Sequence, residues 1–178
     1  MMMRADELEK RKTLHERARL LARQEEAEAT APDDEFYAVQ CVVAGQNYAF
    51  DGPLVREVSH CKNLTHIPCT PPFIAGVVNI RSEIVPVLDT RKFFQLPPGW
   101  PENSKLIVLQ SADTKLGVLV DDVVGVCTFS LSKLQLPLTN MTLEQTRYVR
   151  GIAEGPVIVI DAIALINDPA IEVNETVD

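Results

Sequence analysis

No stretch of eighteen apolar residues occurs anywhere in the 178-residue chain, so no helix of it is expected to span or insert into a bilayer. Cysteine is scarce: Cys41, Cys61, Cys69 and Cys127 follow a charged start, MMMRADELEKRKTLHERARL, that has no apolar centre of a secretory signal. That combination predicts reduced thiols in a cytoplasm and not a secreted disulfide scaffold. The eight glycines are scattered singly, so there is no phosphate-cradling loop, and no serine sits in a nucleophile elbow. Only three histidines are present. With no nucleophile and base at a recognisable spacing, no catalytic residue, no cofactor and no enzymatic activity are expected.

The charge is unevenly spread. Residues 1–29 hold seven Lys/Arg and seven Asp/Glu, and the remainder of the chain carries the whole net charge of −8. A body that acidic repels phosphate backbones, which argues against nucleic acid as a partner.

Pro32 divides the chain. Between Arg4 and Ala29 there is neither Gly nor Pro, and Ala, Leu, Glu, Lys, Arg and Gln dominate, the residues that lose least freedom in a helix. Asp6 with Lys10, Glu7 with Arg11 and Lys12 with Glu16 are opposite charges one turn apart. Leu14, Ala18, Leu21 and Ala22 form a narrow apolar stripe, enough to dock but not to build a core. Residues 1–34 are therefore expected to be a helical arm and linker.

From Phe36 the period changes. Segments 36–43, 46–50, 74–80, 84–88, 106–110, 116–126, 149–153 and 157–160 are short, rich in Val and Ile, and bounded by turns. Only 91–94 and 162–167 look helical. Such spacing predicts an all-β body of the small-barrel or sandwich class. The pattern occurs twice, once to about Leu88 and again from about Leu106 to Ile160, with the Pro-rich stretch from Leu96 to Pro101 between. Two small barrels packed on one another would explain it. The body is expected over 35–167, followed by an acidic tail over 168–178.

His60, Cys61, His66 and Cys69 are all zinc-ligand types within ten residues. They lack a paired-cysteine knuckle, and adjacent residues on an extended chain point apart, so a polar loop with no metal is the expected reading. Cys41 and Cys127 lie in apolar strand contexts and read as core. Asp121 and Asp122 close an apolar strand, a place where carboxylates cap turns.

The densest segment runs from Asn63 to Arg91. Pro68, Pro71 and Pro72 stiffen an approach that delivers Phe73 and Ile74 to the core. Gly76 inside an apolar run predicts a bulge or a close backbone approach. Residues 80–84 read as a reversal with Arg81 at its tip and Ile80 and Ile84 facing the core by alternation. An arginine on a rigid tip is a good interface anchor, since its planar fork stacks and pairs in fixed geometry.

That segment, "IPCTPPFIAGVVNIRSEIVPVLDTRKFF", resembles the signature of CheW-like domains, the coupling proteins of bacterial chemosensory arrays. "FYAVQCVVAGQNYAFDGPLVREV", "KLIVLQSADTKLGVLVDDVVGV" and "YVRGIAEGPVIVIDAIALI" resemble the family's opening hairpin, second strand pair and closing strands, in order. The resemblance covers residues 35–167. It implies two packed five-stranded SH3-like barrels with a short C-terminal helix, and no catalysis. The implied partners are the cytoplasmic tip of a chemoreceptor and the regulatory domain of a CheA-type histidine kinase, at membrane-bound arrays on the cytoplasmic side. By motif position it implies receptor contact at Val55, Glu57, Gly76, Asn79 and Arg81. The chain departs from the family in its arm and in Ser82, where the family usually has Gly after the arginine; serine disfavours positive φ. A ligand- or metal-sensing module at His60, Cys61, His66 and Cys69, and an adaptor for surface motility or biofilm signalling, stay open as alternatives.

Overall fold

The structure, a computed structural model, describes residues 34–136 and 141–171. The expected arm, and the tail beyond Ile171, lie outside the described residues. Ten strands follow in order: β1 (Glu35–Val43), β2 (Gln46–Asp51), β3 (Val55–His60), β4 (Ile74–Ile80), β5 (Glu83–Asp89), β6 (Lys105–Ser111), β7 (Thr114–Val120), β8 (Asp122–Ser130), β9 (Val149–Ala153) and β10 (Val157–Ile160). Three short helices, α1 (Thr90–Phe93), α2 (Leu143–Thr146) and α3 (Ala162–Ile166), sit between and after them.

The strands make two five-stranded sheets, ordered β8-β1-β2-β10-β9 and β3-β6-β7-β5-β4. In the first, β10 runs parallel to β2 and antiparallel to β9. In the second, β5 runs parallel to β7 and antiparallel to β4. The two orders are the same pattern. Each repeat of the chain supplies a hairpin, a lone strand, a second hairpin and a capped helix. Asp89 caps α1 by accepting from the Lys92 N–H, and Asp161 caps α3 by accepting from the Ala164 N–H.

The duplication read from the sequence is therefore present, and the two sheets do not divide along it. β1 and β2 join strands β8–β10 of the second repeat, while β3–β5 join β6 and β7. Each barrel is built from both halves. Strand pairing across forty or more residues leaves no local trace, whereas the repeated order of elements does.

Packing follows the period of two. On β6, Leu106 and Val108 point into the second barrel with Val78, Val85, Val87 and Leu119. Their neighbours Ile107 and Leu109 face the first barrel, in a core shared with Val39, Phe50, Ile160 and Leu165. The first barrel has its own smaller interior of Ala38, Ala49, Ala153, Val157 and Val159. Central strands buried on both faces read as continuous apolar runs, and each fully buried Leu or Ile adds about 1.5–3 kcal/mol.

One buried ion pair ties the elements together. The Arg91 guanidinium on α1 donates two bonds of 2.7 Å to the Asp121 carboxylate, and a third of 2.7 Å to the Pro97 carbonyl. It lies 4.9 Å from the centre of the Trp100 ring. Asp121 also accepts from the Ala44 N–H at 2.8 Å, in the β1–β2 turn. Asp121 is thus a structural acceptor at the β7–β8 junction, where the expected single strand over 116–126 breaks in two.

Other expectations are corrected. Strand β3 was not anticipated; its charged positions hide an edge strand with half-buried residues on alternate positions. Ile84 is 66% exposed, because the two-residue turn sets it opposite Asn79, with Val85 and Val87 facing inward instead. Cys127 is half-buried on edge strand β8, its thiol donating to the Gln40 Oε1 at 3.2 Å. Asp168 and Ile171, beyond the expected end of the body, are buried.

Candidate functional site

The site is built on β3 and on the β4–β5 hairpin, the two edges of the second sheet. The hairpin turns through Arg81 and Ser82, with φ of 51° and 70°, the left-handed pair that a tight hairpin requires. Asn79 supports this turn: its Oδ1 accepts from the Ser82 N–H at 3.0 Å. A serine therefore occupies the positive-φ position at a cost in strain, and the hairpin keeps its geometry.

Arg81, with its side chain 76% exposed, reaches back to β3 and pairs with Glu57 at 2.9 Å. Glu57 is the less exposed partner at 22%, held beside a bulge between Val55 and Glu57 in the pairing of β3 with β6. Val55 is half-buried and packs against the shared core.

Gly76 acts from beneath. Its φ is 145°, and a Cβ there would lie 2.2 Å from the Thr65 carbonyl oxygen. This close approach, with a register shift between Ile74 and Gly76, lets Thr65 and Val77 exchange backbone bonds of 2.9 and 2.8 Å. The loop after β3 is pinned to β4 in this way. Of the five residues named from the sequence, the structure brings Glu57 and Arg81 into contact and places Asn79 at their turn. It assigns Gly76 and Val55 to the scaffold that holds them.

Charge continues along this face. Lys115 on β7 pairs with Glu83, whose carboxyl its hydrogen bond and charge, together with the charge of Arg56, hold below the ordinary range. Arg56, Val58 and His60 are exposed on β3, and Lys105 Nζ lies 2.7 Å from His60 Nε2. Sequence reasoning missed Arg56, Val58 and the exposed Ile84. Val55-Arg56-Glu57-Val58 does not alternate between apolar and polar, so the sequence offered no signal for the first two.

Among the described residues no group of three or more His, Cys, Asp or Glu side chains could hold a metal ion. His60, Cys61, His66 and Cys69 are not gathered. Cys61 packs against the second barrel's interior, and burial raises its thiol above the ordinary value. His66 and Cys69 are exposed on the loop. No described helix is long and apolar enough to cross a membrane.

The CheW-like domain family matches residues 38–170, three-quarters of the chain. The chain belongs to this family. A chemotaxis protein CheW from Treponema pallidum is 28% identical over 125 residues, covering 67% of this chain and 74% of that one. A chemotaxis protein CheW from Klebsiella aerogenes is 32% identical over 130 residues, covering 70% and 78%. In three dimensions the chain is similar to the scaffolding protein CheW of Thermoanaerobacter tengcongensis, with a TM-score of 0.63 and 30% identity over 70% of this chain and 88% of that one. As a CheW-like domain the body has the two packed SH3-like barrels that the motifs implied, with the strands exchanged between its repeats.

Proposed function

We propose that this CheW-like protein is a non-enzymatic coupling protein that joins a chemoreceptor's cytoplasmic tip to the regulatory domain of a CheA-type histidine kinase. The Arg81–Glu57 pair carries the reading. It sets an exposed guanidinium on a rigid hairpin tip, with its direction fixed by a less exposed carboxylate. A planar fork aimed in this way suits a contact that forms and breaks without rearranging the fold. Val55 packs β3 against the core, Gly76 lets the loop after β3 pair with β4, and Asn79 holds the turn of the tip. No cofactor is called for, and the work takes place on the cytoplasmic side of membrane receptor arrays. Interfaces of roughly 1,000 Å² are weak singly and gain strength by repetition across an assembly.

The test is a melting curve and a receptor-tip binding titration on the wild type, Arg81→Ala and Arg81→Glu. An exposed pair contributes about 0–1 kcal/mol to stability, so melting should barely move for Arg81→Ala. Loss of an anchor arginine should weaken binding by about 2 kcal/mol, roughly thirtyfold. Arg81→Glu sets a second carboxylate against Glu57 and should bind more weakly still. Receptor binding that survives both substitutions would overturn the assignment. Recovery of a histidine kinase with the full-length protein in a pull-down tests the second partner.

A further inference from the structure

A cleft of about 370 Å³ opens on the body where the two repeats meet, lined by Phe73, Lys92, Phe93, Arg147 and Tyr148, with the Asp168 carboxylate beside Arg147. Phe73 and Tyr148 occupy equivalent places in the two repeats. Each stands one residue before a strand, and each backbone carbonyl accepts from a helix-capping aspartate's N–H, Asp89 at 2.8 Å and Asp161 at 2.9 Å. Phe93 lies against both, with ring centres 5.4 Å from Phe73 and 5.0 Å from Tyr148. The two phenylalanines are only half-buried, so the described residues leave the aromatic floor of the cleft partly open.

Its rim carries two exposed cations against one buried carboxylate, Asp168, on a body of net negative charge. Lys92 comes from the first repeat and Arg147 from the second, with side chains 60% and 69% exposed. Their acidic neighbours hold them loosely. Lys92 Nζ is 3.6 Å from Asp89 and Arg147 Nη1 is 3.9 Å from Asp168. Both carboxylates have nearer donors: Asp89 accepts from the Lys92 backbone N–H at 3.1 Å, and Asp168 from the Tyr148 hydroxyl and from the Ala170 N–H at 2.8 Å. The cationic heads keep donors to spare. Arg147 lies 5.8 Å above the Tyr148 ring, which directs its head over the floor.

We propose that this cleft binds a small aromatic carboxylate, its ring on the Phe73, Phe93 and Tyr148 floor and its anionic end held by Lys92 and Arg147. The volume falls in the range of small-ligand pockets, about 300–1,000 Å³. A ligand there would bridge the two repeats, so binding would stabilise their packing. The inference is independent of the Arg81 site, which lies on other elements.

The experiment is isothermal titration of the full-length protein with phenylacetate and with indole-3-acetate, with neutral phenylacetamide as control, alongside melting curves. Saturable binding of at least one acid is expected, with a rise in melting temperature. Phenylacetamide should bind at least about tenfold more weakly, as should the acid to the Lys92→Gln/Arg147→Gln protein. Both side chains are exposed and their ion pairs are long, so this variant should stay folded with only a small fall in melting temperature, and each single substitution provides a second reading. Absence of saturable binding by either acid overturns the proposal. So does binding that the double substitution, or loss of the ligand's charge, leaves unchanged.

Discussion

At Ser82 the chain holds a side chain where the backbone asks for none. Both turn residues have positive φ, a conformation that costs a non-glycine residue about 1–2 kcal/mol, and the Asn79 side chain offsets part of that by accepting the Ser82 N–H. Ser82→Gly should therefore stabilise the protein by about 0.5–1 kcal/mol, read as a higher chemical-denaturation midpoint. Asp168 provides a test by pH. Burial would raise its carboxyl, but hydrogen bonds from the Tyr148 hydroxyl and the Ala170 N–H, with the charge of Arg147, outweigh it and hold the carboxyl below its ordinary value. A group depressed in the folded state contributes stability above its unfolded value, about 3.9 for Asp. That contribution is lost as pH falls through the lower folded value. Tyr148→Phe removes the hydroxyl donor, so acid unfolding of that variant should begin at higher pH, as followed by circular dichroism. Of the site itself, the tip arginine was legible from its turn and flanking strands. Its pairing with Glu57 was not, since 24 positions separate the two and only the family resemblance placed them together.

Among elements, the legible ones were those buried on both faces. β6 and β10 announce themselves as runs of Val, Ile and Leu, and their expected bounds agree with the structure to within one residue. β3 escaped because an edge strand exposes every second residue, and Arg56 and Glu57 there look like loop. β7 and β8 merged because Asp121, between two apolar runs, gives no sign in sequence that its partners are Ala44 and Arg91. Those partners make Asp121 a joint between the β1–β2 hairpin, the β7–β8 junction and α1. Asp121→Ala leaves a largely buried guanidinium without its counter-charge and strips an acceptor from the hairpin turn, so it should destabilise by about 3–5 kcal/mol. Arg91→Leu/Asp121→Ala removes both charges together. It should lose less than the sum of the two single variants in a double-mutant cycle, because the Asp121 variant alone keeps the unpaired charge.

For the whole molecule, the exchange of strands means that neither repeat contains a finished barrel. Residues 34–100 carry β1–β5 without β8 beside β1, β10 beside β2, β6 beside β3 or β7 beside β5, and residues 101–171 carry the complementary set. Expressed separately, the two fragments should lack cooperative melting. Mixed, they should regain it with one-to-one stoichiometry, which calorimetry and light scattering can read. A fragment that melts cooperatively alone would contradict the interdependence of the sheets. The repeat was visible in the order of elements, while the exchange was not, because pairing partners are selected by packing across the whole chain.

The same exchange sets an order of events for a chain that leaves the ribosome N-terminus first. The second sheet has all its strands once Val120 has emerged. The β1–β2 hairpin, made before the body's other strands, has no strand paired to its outer edges until β8 appears and cannot be closed into a barrel until Ile160, about forty residues after Val120. At roughly 5–20 residues per second, Ala38 and Ala49 wait some seconds for Ala153, Val157 and Val159 to close over them. The first strands synthesised are thus among the last to be sheltered, and that interval is when a chaperone would have most to hold.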